Sequence, residues 1–211
     1  MFGRSVDTGV DVLLPAHNEE RTIGDIFKAC KSANWVNNVY VVADLCSDNT
    51  VHEAHKYGAT VLETSKGNKA DAVHLGAQHC DEYILLLDGD LVGLLPRHVE
   101  TLATKHPWSM VVGIRGKEVG KLKTIPPIGR NPIGGERRLP KQLLMDANIA
   151  GSGYRMEVRL NKTAKSNFVP IDYVWLDGVG QIKQYGKWGF KESFRKDITR
   201  WKDVVSETIG G

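Results

Sequence analysis

The chain has 211 residues, 41% hydrophobic and 25% charged, with a formal net charge of +3. This suits a single well-buried domain, and no segment offers the roughly 18 uninterrupted apolar residues of a bilayer span. Cys30, Cys46 and Cys80 form no C-x-x-C pair and the seven histidines no H-E-x-x-H, so neither a disulfide framework nor a zinc site is indicated, and the cysteines read as buried thiols. Residues 1–9 lack the apolar core of a secretory signal, which makes a cytoplasmic location the expectation.

In chain order, residues 10–14 form an apolar run closed by Pro15, and Ile23, Ile26, Phe27 and Cys30 then recur at helical spacing over 21–33. Residues 39–43 are a second β-branched run. The polar set Ser47-Asp48-Asn49-Thr50 caps a helix to Tyr57, which Gly58 closes. A strand over 59–62, a helix over 68–79 and a nearly all-apolar strand over 83–87 follow, the last running directly into Asp88-Gly89-Asp90. Apolar rather than alternating strands, separated by helices, predict an α/β fold whose mostly parallel central sheet is covered on both faces. Such sheets bind ligands beyond the carboxyl ends of their strands, where loops 15–20, 44–50, 65–69 and 88–90 gather.

Beyond Pro96 the pattern predicts a helix to about His106, a strand over 110–114, helices over 139–145 and 156–164, and a strand near 173–176. His52, His55, His98 and His106 read as solvated helix residues. From Arg115 to Lys141 eight basic residues (Arg115, Lys117, Lys121, Lys123, Arg130, Arg137, Arg138 and Lys141) face only Glu118 and Glu136, which reads either as a solvated basic loop or as an excess that attracts a phosphate-bearing partner, nucleic acid or an anionic membrane surface. Nucleic acid is not the expected partner. Residues 188–209 place Phe190, Phe194, Ile198, Trp201 and Val205 on one face of an amphipathic helix, either docked on the core or in peripheral contact with a membrane surface. The expected organisation is one domain over 1–211: a nucleotide-binding half over 10–92, an acceptor half over 93–187, and the terminal helix.

Asp88 and Asp90, one residue apart at a strand end, can present oxygen atoms to a single hard cation such as Mn2+ or Mg2+, with Gly89 letting the backbone turn between them. No G-x-G-x-x-G follows the first strand, and no P-loop or G-x-S-x-G motif is present, so dinucleotide, P-loop and α/β-hydrolase readings lose their support.

The ordered set Leu14-Pro15-Ala16-His17-Asn18-Glu19-Glu20, Val41-Val42-Ala43-Asp44, Ser47-Asp48-Asn49-Thr50, Lys66-Gly67-Asn68-Lys69-Ala70 and Asp88-Gly89-Asp90 resembles family 2 glycosyltransferases of the GT-A fold. More loosely, Gly113-Ile114-Arg115, Gly135-Glu136-Arg137 and Gly153-Tyr154-Arg155-Met156-Glu157 are similar to the branch containing dolichyl-phosphate mannose synthases. The resemblance implies an inverting transfer of a hexose from a UDP- or GDP-sugar. It places Pro15, Ala16, Glu19 and Asp44 around the nucleoside, Lys66 or Lys69 on the donor, and Asp88, Gly89 and Asp90 at the ribose and the metal.

A phosphate acceptor arrives already ionised, and Arg115, Arg137 and Arg138 are the candidates to bind it; a polyprenyl phosphate or a small phosphorylated molecule would serve. A hydroxyl acceptor needs a general base, for which Asp90 and Glu157 are the candidates. Ala43 and Val92 stand where many relatives carry a second acid and a polar metal ligand, so the cation is expected to rest on two side chains, water and the donor. A nucleotidyltransferase and a non-catalytic nucleotide-sugar-binding module are the alternative readings.

Overall fold

Apolar runs that alternate with helices do form the middle of one sheet. The computed structural model describes residues 9–104, 108–116 and 134–182. Three strand-helix steps and a fourth strand come first: β1 (Val10–Ala16), α1 (Ile23–Lys31), β2 (Val36–Asp44), α2 (Thr50–Lys56), β3 (Thr60–Thr64), α3 (Lys69–Ala77) and β4 (Tyr83–Leu86). The chain continues through β5 (Leu91–Val92), α4 (Pro96–Thr104), β6 (Met110–Gly116), β7 (Arg137–Pro140) and α5 (Lys141–Asp146). A 3₁₀ turn (Gly153–Arg155) then leads into α6 (Met156–Ser166), β8 (Ile171–Asp177) and β9 (Gly180–Gln181).

The seven-stranded sheet has the order β3-β2-β1-β4-β7-β6-β8. β7 is antiparallel to both β4 and β6, whereas the other neighbouring pairs run parallel. Successive residues of each strand feed opposite cores: Val12, Leu14, Val41 and Leu85 pack with α1 and α4, while Leu13, Val42, Ile84 and Leu86 pack with α3, α5 and α6. The side chains at the centre are wholly buried, and truncating one such as Leu13 to Ala would cost about 2–5 kcal/mol. α3 approaches closely because Gly76 faces the sheet; a Cβ there would lie 2.2 Å from Leu13 Cδ1 and 2.8 Å from Val42 Cγ2.

Several expectations need correction. The basic dipeptide Arg137-Arg138 lies in strand β7, with Leu86 opposite Arg137 and Leu85 opposite Arg138, and the helix expected from Leu139 starts at Lys141 after Pro140 at its N-cap. His98 is 5% exposed: its Nδ1 accepts the Leu95 N–H, so the ring caps α4 from within. Cys30 and Cys80 are buried, and burial pushes both thiols up to about 12, but Cys46 is only half-buried, with its Sγ donating to Ala16 O. The expected terminal helix over 188–209, His106, Lys117, Lys121, Lys123 and Arg130 lie outside the described residues. Among the described residues, no helix is long and apolar enough to cross a membrane.

Candidate active site

The carboxyl ends of β1, β2, β3 and β4 bring the four loops together, and polar side chains staple them to one another. Asn18, in the left-handed region at φ 56°, accepts the Ser47 N–H at 2.8 Å. The Glu19 N–H donates to Thr50 Oγ1 at 2.7 Å, and the Asn49 N–H donates to Glu20 Oε2 at 3.0 Å. Asp48, rather than Asn49 at the N-cap, supplies the side-chain acceptor for α2, taking the Thr50 N–H at 2.9 Å and the Glu20 N–H at 3.2 Å. Partial burial alone would raise the Asp48 pKa; the hydrogen bonds from Thr50 and Glu20 outweigh it and hold the carboxyl below its ordinary range. Asp44 is 6% exposed and accepts the Gly67 N–H at 2.8 Å and the Asn68 N–H at 2.7 Å, one on each oxygen. It thereby fixes the loop that carries Lys66 and Lys69, with both of its oxygens engaged.

Asp88 is the hub of the site. Lys69 Nζ lies 2.7 Å from its Oδ1, and 3.1 Å from Oε1 of Glu157 in the first turn of α6. Burial favours the neutral amine of Lys69, but the two carboxylates outweigh it and raise the lysine pKa above its usual value. On the other side, Gln181 Nε2 donates to Asp88 Oδ2 at 2.9 Å and to Asp90 Oδ1 at 3.0 Å. β9 is brought there by its pairing with β5, the strand that follows the acidic triplet, and by the bond from Ile182 N–H to Asp90 O. Gly89 does not adopt a positive φ. Its lack of a side chain instead allows close packing, since a Cβ would stand 3.0 Å from Pro15 O and 3.1 Å from Glu19 Cγ, while its own carbonyl accepts from Thr22 Oγ1 at 2.6 Å. Gly135 is packed more tightly still: a Cβ there would lie 2.5 Å from Asp88 Oδ2.

Behind this hub lie buried charges. Glu136 is 0% exposed, with Arg115 Nε 3.5 Å from its Oε2, and neither carboxylate oxygen has a hydrogen-bond partner among the described residues. Burial, followed by the charge of Asp88, pushes the Glu136 pKa up to about 7. Arg137 is also wholly buried and donates to Gly134 O at 3.0 Å through Nε and to Asn161 Oδ1 at 3.2 Å through Nη1. Arg138 stacks over the Tyr83 ring at 4.1 Å and donates to Ser109 O at 3.2 Å. The anticipated phosphate clamp of Arg115, Arg137 and Arg138 is therefore not what these side chains form. Strand β7 turns Arg137 and Arg138 into the interior, and Arg115 faces Glu136.

The structure thus brings Lys69, Asp88, Asp90 and Glu157 into one constellation, with Pro15, Ala16 and Asp44 at the strand ends and Glu19 and Lys66 in the loops beside it. Lys66 is exposed. Sequence reasoning missed Gln181, and it quoted Gly135 and Glu136 only within a loose family likeness, with no role in the site; all three come from segments far from the triplet in the chain. The other local signals, the glycines flanking Val179 and the pair Gly134-Gly135, mark turns rather than chemistry.

The model of the family described as "Glycosyl transferase family 2" matches residues 11–159. A 4,4'-diaponeurosporenoate glycosyltransferase of Staphylococcus aureus is 30% identical over 102 residues, 45% of this chain but 27% of that protein, so the match spans about a quarter of the relative's length. Glucosyl-3-phosphoglycerate synthase from Mycobacterium tuberculosis, solved with Mn2+, UDP and glucosyl-3-phosphoglycerate, aligns over 97% of this chain and 80% of that one, with a TM-score of 0.77 at 19% identity. The same enzyme with Mn2+, UDP-glucose and phosphoglyceric acid gives a TM-score of 0.70 over 92% of this chain and 80% of that one, at 19% identity. At such identity the likeness establishes the fold, GT-A, with its mostly parallel sheet between two helical layers.

Proposed function

The chain belongs to glycosyl transferase family 2, and from that premise we propose that it moves a hexose, with inversion, from a nucleotide diphosphate sugar to a phosphate-bearing acceptor. The observation that carries this reading is the convergence of Asp88 Oδ2 and Asp90 Oδ1 on one point, marked by the Gln181 nitrogen at 2.9 and 3.0 Å. Two hard oxygen donors converging in this way fit a divalent cation of the Mn2+ or Mg2+ class, whose shorter bonds draw the oxygens together. No group of three or more His, Cys, Asp or Glu side chains is placed to hold a metal among the described residues. Asp88 and Asp90 would hold the cation with water and the donor, as the apolar Val92 led us to expect. Bound there, it would neutralise the charge that grows on the departing diphosphate.

The chain's own residues do the positioning. Pro15, Ala16 and Glu19 line the nucleoside, Asp44 holds the Lys66-Gly67-Asn68 loop against it, and Lys66 reaches for the donor phosphates. Glu157 faces the reacting centre from the acceptor half, close enough to Lys69 to be held in one orientation. Both relatives are named for anionic acceptors, phosphoglycerate and diaponeurosporenoate, which supports an acidic acceptor here. With the Arg137-Arg138 pair buried, its recognition falls to groups other than that pair.

A panel of UDP- and GDP-sugars assayed with and without Mn2+ tests the reading. Turnover should need the cation, and Asp90→Asn should lower kcat/KM by about 10²-fold or more, the scale of losing a principal electrostatic stabiliser. Release of pyrophosphate would favour a nucleotidyltransferase instead, and tight binding without turnover would favour a non-catalytic module.

A further inference from the structure

We propose that Lys69 is a movable counter-charge, which a divalent cation at the acidic pair displaces from Asp88 toward Glu157, so that cation occupancy is transmitted to the first turn of α6. The inference rests on reading Asp88 and Asp90 as a cation site. Its starting point is a single ammonium shared between two carboxylates, one in the loop after β4 and one in helix α6, 2.7 Å from Asp88 Oδ1 and 3.1 Å from Glu157 Oε1.

Lys69 is the first residue of α3, where the unsatisfied N–H groups and the helix dipole disfavour a positive charge. Its position is therefore not explained by helix stability; the two carboxylates hold it there. The backbone beneath it is fixed, because Asn68 caps α3 through the Ala70 N–H at 2.9 Å and the Asn68 N–H is itself held by Asp44 at 2.7 Å. The side chain above is unbranched, rotatable and 37% exposed, so it can swing where its stem cannot.

A cation between Asp88 Oδ2 and Asp90 Oδ1 would share Asp88 with the ammonium. Two positive charges a few ångströms apart in a half-buried site repel, and Glu157 is the partner already within reach. The displaced charge then tightens on α6. The same turn of α3 has a second hold on the acceptor half, since Asp71 Oδ1 accepts the Gly151 N–H at 2.8 Å in the loop that leads into α6.

A double-mutant cycle on cation affinity tests this without any turnover. The free Mn2+ signal in electron paramagnetic resonance gives Kd for the full chain, K69M, E157Q and K69M/E157Q, first without nucleotide and then with UDP. K69M should bind Mn2+ about tenfold more tightly, as expected when a competing charge is removed. E157Q, which removes the landing place, should weaken binding several-fold in the parent and leave it unchanged in the K69M background. Simple loss of a negative charge would instead weaken both backgrounds by the same factor, and that additive result overturns the proposal, as does a K69M variant that binds no more tightly.

K69R keeps the charge and should keep the parental affinity. Lys69→Gln repeats the neutral arm if K69M melts early, and the double variant removes the opposed charges together. If neither the parent nor K69M binds Mn2+ even with UDP, the cation reading fails and this inference with it. If the parent binds with UDP but K69M is no tighter, only the role of Lys69 falls.

Discussion

The two sides of the sheet support the site in different ways. On the β1–β4 side, loops are held by polar side chains that bond to backbone N–H groups: Asp44 to Gly67 and Asn68, Asp48 to Thr50 and Glu20, Asn18 to Ser47. On the β6–β7–β8 side, the support is buried charge, with Glu136, Arg137 and Arg138 at 0–2% exposure behind the acidic pair. Short-range staples can be lost one at a time, because each loop keeps others. Buried charges in a low-dielectric interior are mutually dependent, so removing one leaves its partners uncompensated.

That contrast can be broken most severely at Gly135. A methyl group there would enter the Asp88 carboxylate, so Gly135→Ala should reduce kcat/KM at least as much as Asp90→Asn. If turnover survives at near the parental rate, then the β7 side does not shape the acidic pair and the comparison collapses.

Arg137→Ala comes next. It leaves the Gly134 carbonyl and Asn161 without their donor and opens a cavity, at about 3 kcal/mol of stability, read by chemical denaturation. A phosphate-binding arginine would instead lose acceptor affinity with little change in the denaturation midpoint.

Glu136 sharpens the contrast through pH. Its folded pKa near 7 lies above the ordinary carboxylate value of 4.5, so between those values the native state binds the proton more tightly than the unfolded chain. Its contribution to stability is fully present below about pH 4.5 and is lost as pH rises through 7, on the order of 3 kcal/mol for such a shift. Glu136→Gln should flatten that part of the stability profile. Denaturation midpoints that fall equally with pH in parent and variant would assign the slope to another group.

The first half was legible because chemistry and periodicity coincide there: each apolar run ends at a polar loop, and the acidic triplet begins one residue beyond β4. The second half hid its roles. Four residues containing two arginines do not read as a strand, yet β7 is one, because Tyr83 and the buried acceptors Gly134 O, Ser109 O and Asn161 receive the guanidinium groups. Lys69 could be picked out as a donor-site lysine, but its bond to Glu157 spans 88 positions and depends on where α6 docks. Gln181 had no motif at all. Its role follows from the two-residue pairing of β5 with β9, too short to leave a periodic signature.

The position of β7 also has a consequence for the birth of the protein. β1 to β4 can pair as they leave the ribosome, but one edge of β4 stays open, with Ile84, Leu85 and Leu86 apolar and unpaired on that side, until Arg137–Pro140 has been synthesised. β6 appears first and cannot take its final place, because β7 must lie between it and β4. Assembly of this half therefore waits on a short, arginine-bearing strand, and the nascent chain carries an exposed sheet edge in the interval, the stage at which aggregation and chaperone capture compete with folding.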